Sequence, residues 1–307
     1  MPTELTWRAL TADDLAGTAA LAGRCLAADG GLPLAATEGF LAGRFTGDGV
    51  RARGAADPAG RLVAAGAVRG RENADGTPGA AFLGLVDPAY RGRGVGAELV
   101  DWGLAAAAGI AERVVVESES LTEAARALFA ARGLRQTFAE DVQRFDLRAE
   151  PPAIGLPDGV SLASWSPERA ERFFEVYQAA FRHRPGFPGW SARRWIDWTA
   201  DDEEFRPGWS LLATDASAGD VGFVTCAEGW IVQVGVRPEH RGRRLGAALV
   251  AEALRRMRHE SRQYALLTVN VDNSAGALYQ RLGFRTIGRR ARFEPAPGAP
   301  TSGGAPA

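Results

Sequence analysis

Two stretches of this chain, Arg91-Gly92-Arg93-Gly94-Val95-Gly96 and Arg241-Gly242-Arg243-Arg244-Leu245-Gly246, set arginines and glycines in matching order 150 residues apart. At the start of a helix the first-turn backbone N–H groups have no acceptor within the helix, and the helix dipole adds partial positive charge at the same end. Glycine removes the Cβ that would hold an anion off the backbone, and flanking arginines can pair with its oxygens. The chemistry such a loop suits is the binding of a phosphate or pyrophosphate. A lone Gly-x-Gly would be better explained as a solvated turn. Here the elements around it recur as well.

Those elements are a strand before each loop and a helix after it. Residues 81–86 and 230–236 are apolar runs of strand character, each ending near a proline, Pro88 or Pro238. Beyond the loops, Val95, Leu99, Val100, Gly103, Leu104 and Ala107 answer Leu245, Leu249, Val250, Ala253, Leu254 and Met257. Steps of three and four put each set on one helix face. The offset persists further along, where residues 278–284 answer residues 128–134 and Tyr279 answers Phe129. The duplicated unit is therefore a whole domain.

R-x-x-G-x-G between a strand and a helix, followed about 30 residues later by Leu278-Tyr279-Gln280-Arg281-Leu282-Gly283-Phe284, resembles the GNAT N-acetyltransferases once per half. The resemblance implies a tandem α/β protein, each half a mixed, twisted sheet flanked by helices. It also implies acetyl-CoA as cosubstrate and direct transfer of the acetyl group to a primary amine. Such a site must deprotonate an ammonium, stabilise an oxyanion and protonate a departing thiolate.

The family's roles fall on particular residues of the second half. Tyr279 stands where the family commonly has a tyrosine near the coenzyme A sulfur, and a phenol with a reference pKa of about 10 stays protonated at neutral pH. Phe129 has no hydroxyl, so catalysis is expected in the second half only. That half departs from the pattern in turn, carrying Arg244 where glycine is expected. Glu228, before the strand at 230–236, matches the place of the family's base, although an ordinary exposed turn carboxylate explains it as well. The backbone of Val234, Gly235 and Val236 matches the strand that pairs with the pantetheine arm. The phosphates are assigned to Arg241, Gly242, Arg243, Arg244, Leu245, Gly246 and Ala247. Asn273 is taken as the family's pantetheine-contacting asparagine, although the usual spacing from the tyrosine lands on Asp272.

The acceptor is expected between Phe181 and Trp209, among His183, Arg184, Phe187, Trp190, Trp195, Trp198 and the acidic run 201–204. Aromatic walls with carboxylates suit a small cationic amine, while core tryptophans and a solvated helix end are the plainer explanation for most of these residues. Two alternative functions stay open. One is a non-catalytic acyl-CoA sensor or scaffold; the other is an acetyltransferase acting on protein N-termini or lysines.

Length and composition agree with two domains. The chain has 307 residues and 46% hydrophobic content, enough for two cores. The expected division is an N-terminal, non-catalytic domain at 1–148, a Pro/Gly-rich linker at 149–158, a catalytic domain at 159–296 and a disordered tail at 297–307. A formal net charge of −1 argues against a nucleic-acid surface. All 36 basic side chains are arginine, which with the abundant Ala, Gly and Pro suggests a high-GC bacterial source. Neither an apolar leader nor a run of about 18 apolar residues is present, so a cytoplasmic protein without membrane contact is expected. Cys25 and Cys226 lie in different halves and form no disulfide framework. His183, His240 and His259 lack ligand-like spacing, and no metal is expected. A monomer or homodimer is anticipated.

Overall fold

The interval of 150 residues reappears as two compact units that each contain strand, glycine loop and helix in the same order. A computed structural model of the chain describes residues 5–73, 76–184 and 187–296. The first unit comprises Met1–Val142 with Ile287–Ala307, and the second Gln143–Thr286. The fold is mixed α/β throughout.

In the first unit the strands are β1 (Thr6–Ala9), β2 (Arg51–Ala56), β3 (Leu62–Glu72), β4 (Pro78–Val86), β5 (Val114–Ser118) and β6 (Leu134–Asp146, up to Val142). The helices are α1 (Leu15–Asp29), α2 (Glu38–Phe45), α3 (Val95–Ala108) and α4 (Glu123–Ala130). β1 to β4 pair antiparallel in sequence order, and β4 pairs parallel with β5. The apolar stripe foreseen for α3 is the buried one: Val95, Leu99, Val100, Gly103 and Ala107 face the sheet. At Gly103 the approach is so close that a Cβ would lie 2.4 Å from the ring of Phe82.

The second unit holds β7 (Val160–Ser164), β8 (Leu211–Asp215), β9 (Gly219–Ala227), β10 (Trp230–Val236) and β11 (Tyr264–Asn270). Its helices are α5 (Ala170–Phe181), α6 (Ala192–Ala200), α7 (Leu245–His259) and α8 (Ala275–Arg281). β7 to β10 are antiparallel neighbours, while β10 and β11 run parallel. α7 buries Leu245, Leu249, Val250, Ala253, Leu254 and Met257, as its periodicity predicts. Its last turn carries Arg256, Arg258 and His259, cations at the negative end of the dipole.

The last strand of the chain, β12 (Arg285–Pro295), lies between β5 and β6, where Ala291, Arg292 and Phe293 pair antiparallel with Ser118, Glu117 and Val116. Residues 287–296 thus belong with the first unit, and residues 143–148 with the second, whose β11 lies beside the end of β6. The units therefore divide at Val142/Gln143 and Thr286/Ile287, whereas the sequence suggested a division across 149–158 with 287–296 kept in the second half. The physical reason is that β12 takes its backbone partners from β5, so its hydrogen bonds lie in the first unit. The stretch from 147 to 159 carries neither helix nor strand. The tail expected at 297–307 lies outside the described residues.

Candidate active site

The site in the second unit begins where two parallel strands part. β10 is in register with β11 only at Trp230 and Leu266, although β9 follows β10 on its other side as far as Val236. Past Trp230 the edge of β10 that faces β11, including Val234, Gly235 and Val236, is left for another partner. A bulge between Ile231 and Gln233 makes Val232 an extra residue, 43% exposed. In the first unit the corresponding pairing runs from Ala80 to Leu83 before β4 and β5 separate. A linear chain bearing amide groups could pair with such an edge as a strand would.

The glycine loop closes one end of this wedge. Gly242 and Arg244 hold φ of 79° and 64°, and α7 follows at once. The first helix-type bond is donated by the Ala248 N–H to the Arg244 carbonyl, 3.0 Å. The N–H groups of Leu245, Gly246 and Ala247 therefore have no acceptor among the described residues. A Cβ at Gly246 would meet only Val236 at 3.7 Å and Leu278 at 3.9 Å, and one at Gly242 nothing within 4 Å. The loop surface is open toward a ligand, and its donors and charge suit the phosphates of a nucleotide cosubstrate.

The arginines of the loop divide into two kinds. Arg241 donates to the carbonyls of Val236 (3.2 Å) and Ala180 (2.8 Å), tying the loop to the end of β10 and to α5. Its counterpart Arg91 donates to Val86 at 3.1 Å and grips Asp29 with both terminal nitrogens. This position acts as a strut, with two of the three guanidinium nitrogens of Arg241 held by backbone carbonyls. Arg243 and Arg244 are exposed and form no ion pair among the described residues.

Tyr279 sits on α8, 9% exposed, with its ring edge-on to Phe284 at 6.0 Å. Burial pushes its phenol up to about 12, against a smaller opposing pull from Arg184. The group holds its proton across the neutral range. Phe129 occupies the same place on α4, packed 4.9 Å from Phe293. Asn273 accepts from the Ala275 N–H at 2.9 Å and so starts α8, while the Asp272 N–H donates to the Asn270 carboxamide.

Glu228 lies in the turn before β10, where Arg206 (2.8 Å) and Arg262 (2.6 Å) both grip its carboxylate. Its lone pairs are thus directed at two guanidiniums, an arrangement that sequence reading missed because the partners are 22 and 34 residues away. The aromatic region is similarly redistributed. Trp195 and Trp209 are fully buried; Trp195 stacks on Tyr177 at 4.9 Å and donates to Gln233, and Trp209 donates to Glu260. His183 accepts from Arg182. Trp198 remains 49% exposed, edge-on to Trp190.

The first unit contains a feature with no sequence signal, a cavity of about 350 Å³ reaching from its glycine loop, past Phe129, to α1 and α2. Among the described residues no cluster of histidine, cysteine or carboxylates could hold a metal, and no helix is long and apolar enough to cross a membrane.

Known proteins resemble this chain in sequence and in fold. The model of the acetyltransferase (GNAT) family matches residues 51–134 and 170–284. A mycothiol acetyltransferase of Clavibacter sepedonicus is 34% identical over 209 residues, 66% of this chain and 68% of that protein. A GCN5-related N-acetyltransferase of Sphaerobacter thermophilus aligns with a TM-score of 0.74 at 28% identity, over 97% of this chain and 98% of that one. A tandem GNAT protein from the clavulanic acid biosynthesis pathway has the same fold, with a TM-score of 0.59 at 22% identity over 96% and 100% of the two chains. The chain belongs to the GNAT family and is an acetyl-CoA-dependent N-acetyltransferase.

Proposed function

We propose that the second unit carries out the transfer, passing an acetyl group directly to the primary amine of a small molecule. Acetyl-CoA supplies the activated acetyl group as a thioester. The free N–H groups of Leu245, Gly246 and Ala247, with Arg243 and Arg244, would hold its phosphates. The open edge of β10 at Val234, Gly235 and Val236 would hold the pantetheine arm, with Asn273 near it. Tyr279 donates its proton to the departing sulfur.

The observation that carries this reading is the buried phenol of Tyr279, whose raised pKa keeps the proton available at every pH where the protein would work. Direct transfer is supported by the cysteines. Cys226 is fully buried and its thiol is pushed up by desolvation, and Cys25 is raised for the same reason; neither offers a thiolate to carry the acetyl group. Glu228, held by two arginines, serves as an anchor for the start of β10, and the ammonium loses its proton to water before it attacks.

Tyr279→Phe tests the assignment. Loss of a positioned acid should lower kcat by roughly 10²–10⁴-fold while acetyl-CoA binding, measured by calorimetry, stays within a few-fold. Full turnover across the pH range in the variant would remove Tyr279 from the mechanism.

A further inference from the structure

Near the open edge of β10 the second unit holds a cation whose side chain the fold leaves unused. Of the arginines from the end of α5 through α6, Arg182 donates to His183 at 3.0 Å, Arg193 pairs with Asp197 at 3.6 Å, and Arg194 lies over the ring of Trp190. Arg184 is exposed, and its side chain makes no hydrogen bond, ion pair or ring contact among the described residues. Its backbone, by contrast, is fixed. The Arg184 N–H donates to the Phe181 carbonyl at 2.8 Å, and its own carbonyl accepts from the Phe187 N–H at 3.1 Å. Both phenylalanines pack on Tyr177 with ring centroids 5.5 Å away. Arg184 is therefore held just past α5, between two residues that clasp Tyr177.

Tyr177 leads to the strand edge itself. It stacks on Trp195 at 4.9 Å, and the Trp195 indole donates to Gln233 Oε1 at 3.2 Å. An indole N–H is a donor only, so the carboxamide oxygen must face it and the amide nitrogen of Gln233 is turned away. That nitrogen has no partner among the described residues, and Gln233 is half-buried beside the bulge of β10. Thr225, directly opposite Gln233 on β9, is 1% exposed, and its hydroxyl likewise has no partner. Burial raises the phenols of Tyr177 and Tyr279, and in both the opposing pull comes from Arg184, so this guanidinium lies within electrostatic reach of the acid at the thioester end. Glu228, the carboxylate in the turn before β10, is already held by Arg206 and Arg262. The charge left unanswered here is positive. A guanidinium and a primary amide both offer N–H donors that a carboxylate accepts with its two oxygens.

We propose that the acceptor is an amine carrying a carboxylate, an amino acid in its simplest form, whose carboxylate is held by Arg184 and Gln233 while its amine faces the thioester. This names the substrate class of the site and rests on transfer by the second unit as proposed above. The chemistry of the step is unchanged. After the ammonium gives one proton to water, the N–C bond forms as the C–S bond breaks; the sulfur takes the Tyr279 proton, and the second proton lost by the nitrogen returns to the phenolate through water. Specificity comes from charge: a carboxylate answers the unpaired guanidinium, whereas a second cation on the acceptor would meet its like.

The experiment compares the common L-amino acids that bear a primary amine with their carboxamides, which keep amine and side chain and lose only the negative charge. The full chain is supplied with saturating acetyl-CoA, and thiol release is followed. The best acid is expected to exceed its amide by about tenfold or more in kcat/KM. Arg184→Gln, at an exposed position, should shrink that preference to within about threefold and leave acetyl-CoA affinity, measured by calorimetry, within a few-fold. Gln233→Glu can still accept from Trp195 and should cost the acid about tenfold more than its amide through like-charge repulsion. An amide turned over as fast as its acid, or no acid acetylated by a chain that binds acetyl-CoA, would overturn the proposal. So would a loss of about tenfold in acetyl-CoA affinity in Arg184→Gln, since the arginine would then serve the cosubstrate. Amides preferred in a reaction that Tyr279→Phe abolishes would overturn this proposal alone. Acid preference in a fully active Tyr279→Phe enzyme would instead overturn the catalytic assignment on which it rests.

Discussion

Arg244 and Gly94 hold the same left-handed backbone, with φ of 64° and 85°, each at the residue that precedes its helix, α7 or α3. A side chain in this region costs roughly 1–2 kcal/mol that glycine avoids. The second unit keeps an arginine there without any ion pair among the described residues to compensate. On the function proposed above, the guanidinium of Arg244 would meet a phosphate held at the open N–H groups of the same loop.

Replacement Arg244→Gly should therefore separate stability from binding. Relief of the backbone strain, less glycine's larger unfolded-state entropy, is expected to raise stability by about 0.5–1 kcal/mol. Loss of the guanidinium should raise KM for acetyl-CoA several-fold with kcat unchanged. Urea unfolding and steady-state kinetics on one preparation give both numbers. A destabilised variant with unaltered KM would show that Arg244 serves the fold.

The dependence of the first unit on the end of the chain gives a second prediction. Phe293 is buried against Phe129, and Ala291 beside it on β12 is fully enclosed. Truncating a buried phenylalanine costs about 3–5 kcal/mol. Phe293→Ala should accordingly weaken hydrogen-exchange protection in β5 and in β6 up to Val142. Protection of β8 and β9 in the second unit should be unaffected. Uniform loss in both units would mean that they unfold as one.

What the sequence disclosed and what it withheld follow one physical line. The stripe from Leu245 to Met257 is legible because a helix writes its buried face into the spacing of its own residues. The glycine loop is legible because its positive φ values restrict residue type locally. β12 is not: an alternating strand records which face is buried but not which strand lies beside it. Glu228 looked like a free carboxylate because Arg206 and Arg262 reach it only through the fold. Trp195 stood among the acceptor candidates although the core was the plainer explanation for most of them, and packing claims it. The chamber of the first unit leaves no trace because its wall is made of residues that any core would use.

Glu228→Gln distinguishes an anchor from a base. The ion pairs with Arg206 and Arg262 are partly exposed, so their loss should cost only about 1 kcal/mol in all. Removal of a general base would instead lower kcat by roughly 10²-fold or more and abolish the acidic limb of the pH profile. We expect a small drop in melting temperature, with kcat within a few-fold and the same pH profile. A collapse of kcat with an intact melting temperature would restore Glu228 as the base.

The phenol of Tyr279 makes a prediction at alkaline pH that does not depend on substrate. Its folded-state pKa is raised from 10 to about 12 by burial, so between those values the unfolded chain releases a proton that the folded chain keeps. The stabilising contribution of the neutral phenol is complete below pH 10 and is lost as pH rises toward 12. By pH 11 the linkage amounts to about 1 kcal/mol. Tyr279→Phe should remove this component, so the gap in unfolding free energy between wild type and variant should shift by about 1 kcal/mol from pH 9 to pH 11, the variant losing less. Parallel stability curves over that range would mean that the hydroxyl titrates as it does in water and that Tyr279 is not the buried acid described for α8.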